Sequence, residues 1–353
     1  MAELRDKIAA LLPRAEGNPG AMIQLARLMR QDGQRERALG LCRKALALAP
    51  ADAELAAQVK QFVSDDVPGW HFVIVRDDAR NAAYDAALRR AVRPGSRVLE
   101  IGTGTGLLAM MAARAGAAEV ITCEMNPSIA QMATDIVARN GLADRVRVIA
   151  KHSDALELEA DLDGKVDILV SEIVSNDLLG EDVLPAHERA VRHLLKPGGR
   201  VIPAHGTVRV ALAEDARDDA QRLGEIDGFD LSLFNTLRQP VRQIRTGHER
   251  LKLRSEAADL FTFDFGAGEF CAPGRASIAC RSDGGRVNGI AQWIALTMDA
   301  ETHYENRPGP GTTSCWAVLF HPLAQSIDTS PGQEIRVSGS HDRHRISIWS
   351  VAE

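Results

Sequence analysis

The sequence predicts an α/β protein: a Rossmann-like doubly wound domain followed by an antiparallel β-barrel domain, with an α-helical region in front. Three observations carry this. Between residues 65 and 203, short apolar runs alternate with stretches of helical spacing, the rhythm of a parallel sheet covered by helices. A glycine-rich turn follows the first of those runs. After Pro203 the rhythm changes to short alternating runs separated by Gly and Pro, as in barrels and sandwiches.

Residues 1–64 read as helical, because apolar positions recur at helical spacing with almost no β-branched run. Pro19 to Asp52 fits one tetratricopeptide unit of about 34 residues. Ala26, Ala38 and Ala45 fall at small contact positions, Gly33 at the turn, and Pro50 after the second helix. One unit cannot hide its apolar face alone. The segment therefore either packs on the next domain or captures a partner.

In the middle region, Arg97–Ile101 is an apolar run ending in glycines, and 106–115 is helical. Glu119–Glu124 is the next strand and 127–139 the next helix. Val146–Ile149 and Val166–Val170 are further strands, and Pro197-Gly198-Gly199 is a turn before Arg200–Ile202. In the last region, 204–353, Thr207–Ala211, Leu260–Phe265 and Arg345–Trp349 alternate as antiparallel strands do. Residues 215–250 interrupt them with a polar, partly helical insertion.

Composition narrows the function classes. The chain has 353 residues, 25% of them charged, and a net charge of -6. That balance argues against a broad electrostatic grip on nucleic acid. The cysteines are Cys42, Cys123, Cys271, Cys280 and Cys315, an odd number without a CxxC pair. Reduced thiols in a cytoplasmic protein are expected, with no disulfide framework and no metal site. No signal peptide and no membrane-spanning run is evident.

The sharpest local pattern is Val98-Leu-Glu-Ile-Gly-Thr-Gly-Thr-Gly-Leu-Leu108. Gly102, Gly104 and Gly106 sit between the first strand and its helix, where the backbone must turn tightly and approach a ligand. Glu124 ends the second strand, placed to accept both hydroxyls of a ribose. Asp154, after the third strand, is placed to face an adenine edge. A nucleoside cofactor follows, and a nicotinamide domain stays open as an alternative.

Glu172 and Glu181 lie nine residues apart in Ser171-Glu-Ile-Val-Ser-Asn-Asp-Leu-Leu-Gly-Glu181, after the fourth strand. This resembles the double-glutamate loop of protein arginine methyltransferases. Trp70-His71-Phe72 and Asp77–Tyr84 resemble that family's N-terminal helix over the cofactor. Thr313-Ser314-Cys315-Trp316 lies where the family has Thr-His-Trp, and Gly228-Phe229-Asp230 resembles the start of its dimerisation arm. The resemblance is nearest to members with an N-terminal tetratricopeptide region. It implies S-adenosylmethionine as cofactor, an arginine-containing protein as substrate, and a homodimer formed through an arm at about 215–250.

By the same resemblance, Glu172 and Glu181 hold the guanidinium. Arg80 pairs with the cofactor's methionyl carboxylate, His71 helps close the lid, and Asp77 holds the loop behind the substrate and relays the departing proton. Ile74 lines the methyl-accepting pocket, and Trp316 belongs to the substrate site. The chemistry suits the residues. A guanidinium stays protonated and is a poor nucleophile. Two carboxylates can fix its planar fork through charge-assisted hydrogen bonds of about 1.5–3 kcal/mol each. One departure stands out: Cys315 replaces the family histidine, and a neutral thiol cannot form the same charged pair with Asp77. Two other readings of the chain are a methyltransferase for another nitrogen acceptor and a binding module with impaired catalysis.

Overall fold

A computed structural model describes residues 2–65 and 67–351. The chain opens with four helices, α1 (Ala2–Ala15), α2 (Pro19–Gln31), α3 (Arg35–Leu48) and α4 (Ala53–Ser64). Asn18 starts α2 by accepting the Ala21 N–H, with Pro19 in the first turn where no donor is needed. Ala26, Ala38 and Ala45 are fully buried between the helices. The pair expected over 19–52 is therefore flanked by α1 and α4. Together the four helices enclose their own core, which includes Ile8, Ile23, Leu55 and Phe62.

A short helix, α5 (His71–Ile74), and a longer one, α6 (Asp78–Ala91), lead into the sheet. The alternating elements are β1 (Arg97–Ile101), α7 (Leu107–Arg114), β2 (Glu119–Cys123), α8 (Pro127–Arg139), β3 (Val146–Ile149), β4 (Val166–Ser171), α9 (Val183–His193) and β5 (Leu195–Ile202). The strands are parallel in the order β3-β2-β1-β4-β5. Leu99, Val120, Ile121, Leu169 and Val170 are fully buried, as strands covered on both faces require. The α-helical region rests on this domain: α3 lies against α8, with Arg43 donating to Gln131 at 3.4 Å. One expectation needs correction. The turn at 197–199 does not precede the last strand but lies inside it. Pairing jumps from Val166–Leu195 to Ile168–Arg200, so the Pro-Gly-Gly segment is a bulge within β5.

The rest is antiparallel. After β6 (His205–Asp215) come α10 (Ala216–Ala220), the small hairpin β7 (Glu225–Ile226) and β8 (Phe229–Asp230), a 3-10 turn at Ser232–Leu237, and β9 (Arg242–Ile244). Then follow β10 (Leu251–Leu253), β11 (Ala258–Asp264), β12 (Gly274–Arg281), β13 (Gly285–Thr297), β14 (His303–Glu305), β15 (Val318–Thr329), β16 (Glu334–His341) and β17 (Ile346–Val351). The larger sheet runs β10-β6-β13-β15-β9, with β11 on β6 and β14 on β13; the smaller runs β12-β16-β17. The insertion at 215–250 is thus not only polar and helical, since β9 returns from it to pair with β15. One apolar core runs from Tyr84, Leu88 and Leu108 through Leu178 to Val208, Phe265 and Trp316, so the two halves are packed as a continuous body.

Candidate active site

A cavity of 680 Å³ opens at the carboxyl ends of β1, β2 and β4, where ligands bind in open α/β sheets. Its inner end is a cradle. Gly102, Gly104 and Gly106 all have positive φ (86°, 51° and 80°), so the chain coils between β1 and α7 in a conformation costly for other residues. A side chain on Gly102 would meet Ile173 Cγ2 at 2.7 Å, whereas one on Gly104 would meet nothing within 4 Å. The cradle therefore touches the glutamate loop on one side and is open toward the cavity on the other. One Glu124 oxygen accepts the Gly104 N–H at 3.1 Å, and the other accepts the Asn126 N–H at 2.9 Å. Each oxygen keeps capacity for a further donor, as a diol requires. Below the cradle, burial pushes Glu100 up to about 8 despite a hydrogen bond from the Thr122 hydroxyl.

The outer end is made of carboxylates and one arginine. Asp77 caps α6 by accepting the Arg80 N–H at 2.9 Å, which aims the Arg80 side chain inward. Arg80 Nη2 donates to Glu172 Oε2 at 2.8 Å, with the two side chains 5% and 7% exposed. Arg80 Nη1 donates to Asn81. Arg80 Nε is buried without a partner. Burial raises Glu172 to about 7, with the Glu181 charge adding to it and Arg80 opposing it. Burial and the charges of Asp177 and Glu124 also raise Glu181, which faces the open cavity.

A loop from the antiparallel half closes the back. The Cys315 N–H donates to Asp77 at 2.9 Å. The Trp316 indole N–H donates to the Val174 carbonyl at 2.9 Å, and the Ala317 N–H to Asn176 Oδ1 at 2.8 Å. The loop thus bonds both the start of α6 and the glutamate loop. Burial, with Glu172 and Asp77 nearby, pushes the Cys315 thiol far up, so it stays neutral.

His71, Ile74, Arg80, Gly102, Gly104, Glu124, Asp154, Glu172 and Glu181 all line this one cavity. Gly106 packs behind it at Val137, Asp77 is 7% exposed, and Trp316 is 5% exposed and backs the glutamate loop. The His71 ring stacks on Trp70, with Nδ1 3.0 Å from the Pro68 carbonyl. Sequence reasoning missed Arg35, which α3 brings to the cavity, and His344, which the β16–β17 turn sets 2.5 Å from Asp182. It also missed Tyr304, whose hydroxyl reaches Asp77. No local pattern surrounds any of the three, so their roles were invisible before the chain was folded.

A methyltransferase-domain profile matches residues 98–199. Over 98% of its length the chain is 36% identical to the arginine N(omega)-methyltransferase of Streptomyces achromogenes subsp. streptozoticus, and it covers 97% of that protein. It is 29% identical over 78% of its length to protein arginine N-methyltransferase 7 of Danio rerio, of which it spans 44%. In fold it is similar to a chain of the Trypanosoma brucei PRMT1 enzyme-prozyme heterotetramer with AdoHcy, with a TM-score of 0.68 at 22% identity. That match covers 80% of this chain and 96% of the other.

Proposed function

The chain belongs to the protein arginine methyltransferase family, and from that premise we propose how its residues share the reaction. It catalyses S-adenosylmethionine-dependent methylation of arginine. S-adenosylmethionine supplies the methyl group from its sulfonium. Gly102 and Gly104 admit the cofactor against the backbone, Glu124 takes its ribose hydroxyls, and Asp154 stands at the adenine end. The partnerless Arg80 Nε suits the methionyl carboxylate. Glu172 and Glu181 take the guanidinium fork and draw its positive charge onto the nitrogens that do not react. His71 and Ile74 form the lid over the reacting end.

One observation carries this reading: the nucleoside cradle and both glutamates line the same cavity, joined where Gly102 abuts Ile173. The test is incubation with methyl-labelled S-adenosylmethionine, followed by mass spectrometry of the product. Label on arginine nitrogen that is lost in both Glu172→Gln and Glu181→Gln supports the assignment. Full activity in either variant refutes it.

For the carrier of that arginine we take the free amino acid. The Streptomyces relative, matched end to end, is named for arginine itself. The second reading is a protein-borne arginine, favoured by the names of relatives that the chain spans only in part. Labelling L-arginine in one tube and an arginine-rich peptide in another decides between them. The segment 225–237 presents Phe229, Leu233 and Phe234 largely to solvent, and we assign it to a homodimer. Light scattering on Phe229→Ser/Phe234→Ser should then report a monomer. We place the reaction in the cytoplasm, on the strength of five free cysteines; no described helix is long and apolar enough to cross a membrane.

A further inference from the structure

Cys315 sits beside Asp77 with a thiol that burial keeps neutral, so the carboxylate is held chiefly by other groups. Three donors converge on that carboxylate. Oδ1 accepts the Arg80 N–H at 2.9 Å. Oδ2 accepts the Cys315 N–H at 2.9 Å and the Tyr304 hydroxyl at 2.7 Å. The Tyr304 oxygen lies 2.7 Å from Ser314 Oγ, which accepts the Trp316 N–H at 3.0 Å. A carboxylate can only accept, so the proton directions are set. Ser314 donates to Tyr304, and Tyr304 donates to Asp77. Burial alone would raise the Asp77 pKa, but these three donors, joined by the Cys315 thiol, outweigh it and hold it below the usual carboxylate range. A carboxylate so engaged is a poor base and a good anchor.

Tyr304 is placed for that task by its own strand. It sits in β14 opposite Leu296, 6% exposed, with its ring edge-on to Trp316 at 5.4 Å. Two residues on, Asn306 donates to the Trp316 carbonyl at 3.2 Å. β14 therefore braces the same loop that bonds the glutamate loop through Trp316 and Ala317.

We propose that Tyr304, backed by Ser314, is the positioning residue of the acceptor site: its hydroxyl holds Asp77 and so ties the start of α6 to the loop behind Glu172 and Glu181. This rests on the arginine-methylation reading of the site. It makes Asp77 a fixed anchor and not a carrier of the departing proton.

Tyr304→Phe keeps the ring and removes only the hydroxyl. The full-length variant is assayed for kcat and KM of the arginine acceptor across pH, with cofactor affinity by calorimetry and Glu172→Gln as reference. The expected result is kcat lower by about tenfold, the scale of one hydrogen bond to a charged group, with an unchanged pH profile and cofactor Kd within about twofold. Kinetics equal to the parent, while Glu172→Gln is inactive, would overturn the proposal alone. An active Glu172→Gln would instead sink the reading of the site. A displaced pH limb in Tyr304→Phe would also overturn the proposal, because it would mark a proton path. Should Tyr304→Phe fail to fold, Ser314→Ala carries the test: a smaller loss of kcat is expected, and parental kcat would overturn the proposal.

Discussion

The two ends of the cavity are built differently. Apart from Asp154, the inner end comes from a continuous stretch, β1 to the start of α8, in which backbone N–H groups hold Glu124. The outer end joins segments far apart in the chain. Arg80 and Glu172 are 92 positions apart, and Asp77 and Cys315 are 238 apart. A cradle of tightly turned backbone needs few particular side chains, chiefly glycines and one acid. A clamp of buried charges needs every member, because an unpartnered charge in a low-dielectric wall is costly. Substitutions should therefore fail softly at the inner end and abruptly at the outer.

The sharpest break is Glu172→Gln. It strands Arg80 in the wall, and breaking such a buried pair costs about 3–5 kcal/mol. Activity should fall roughly thousandfold, with measurable cofactor binding by calorimetry. Loss of cofactor binding as well would erase the distinction between the two ends.

Glu124→Ala comes next. On the proposed assignment it removes two charge-assisted contacts to a diol, so cofactor Kd should rise by about 100-fold. At saturating cofactor, kcat should stay near its parental value; a matching drop in kcat would show that Glu124 also acts at the reacting end. Gly102→Ala tests the seam. Positive φ costs about 1–2 kcal/mol for an alanine, and the new methyl meets Ile173 at 2.7 Å. Melting temperature and both substrate affinities should fall together. An effect on cofactor affinity alone would mean that the cradle and the glutamate loop are uncoupled.

The smallest effect is in pH. On the proposed assignment Glu172 must be ionised to take a guanidinium, and burial raises it to about 7. In the free enzyme, kcat/KM should climb as pH rises toward 7 and level off above. A flat profile between pH 6 and 8, to within about twofold, would contradict that shift. Stability runs the other way. The folded carboxyl binds its proton more tightly than the unfolded one near 4.5, so this contribution is full below that value and is lost as pH rises through about 7.

The same contrast explains what could be read in advance. The strands of the doubly wound sheet, the glycine loop and Glu124 announce themselves by spacing, since each is specified within a few residues. The glutamate pair, Asp77 and Arg80 stand out only through the resemblance of their segments to the family's, and the fold adds that Arg80 and both glutamates line one cavity. The bulge at 197–199 was misplaced because a Pro-Gly-Gly turn reads alike whether the strand stops or continues through it. Tyr304 and His344 gave no signal. A tyrosine in a short edge strand and a histidine in a hairpin turn look ordinary until the fold sets them beside Asp77 and Asp182.

The loop at 313–317 also bears on how such a protein can be recombined. It bonds the cap of α6, the segment after β4 and Tyr304 of its neighbour strand β14. A chimera cut at the junction near Pro203 would inherit the lid from one parent and the loop from another. Cofactor binding should survive that exchange, while the acceptor clamp would survive only where both parents carry matching partners for Asp77. Grafts that aim to change the acceptor must therefore move residues 77–81, 172–181 and 304–317 as one heritable unit.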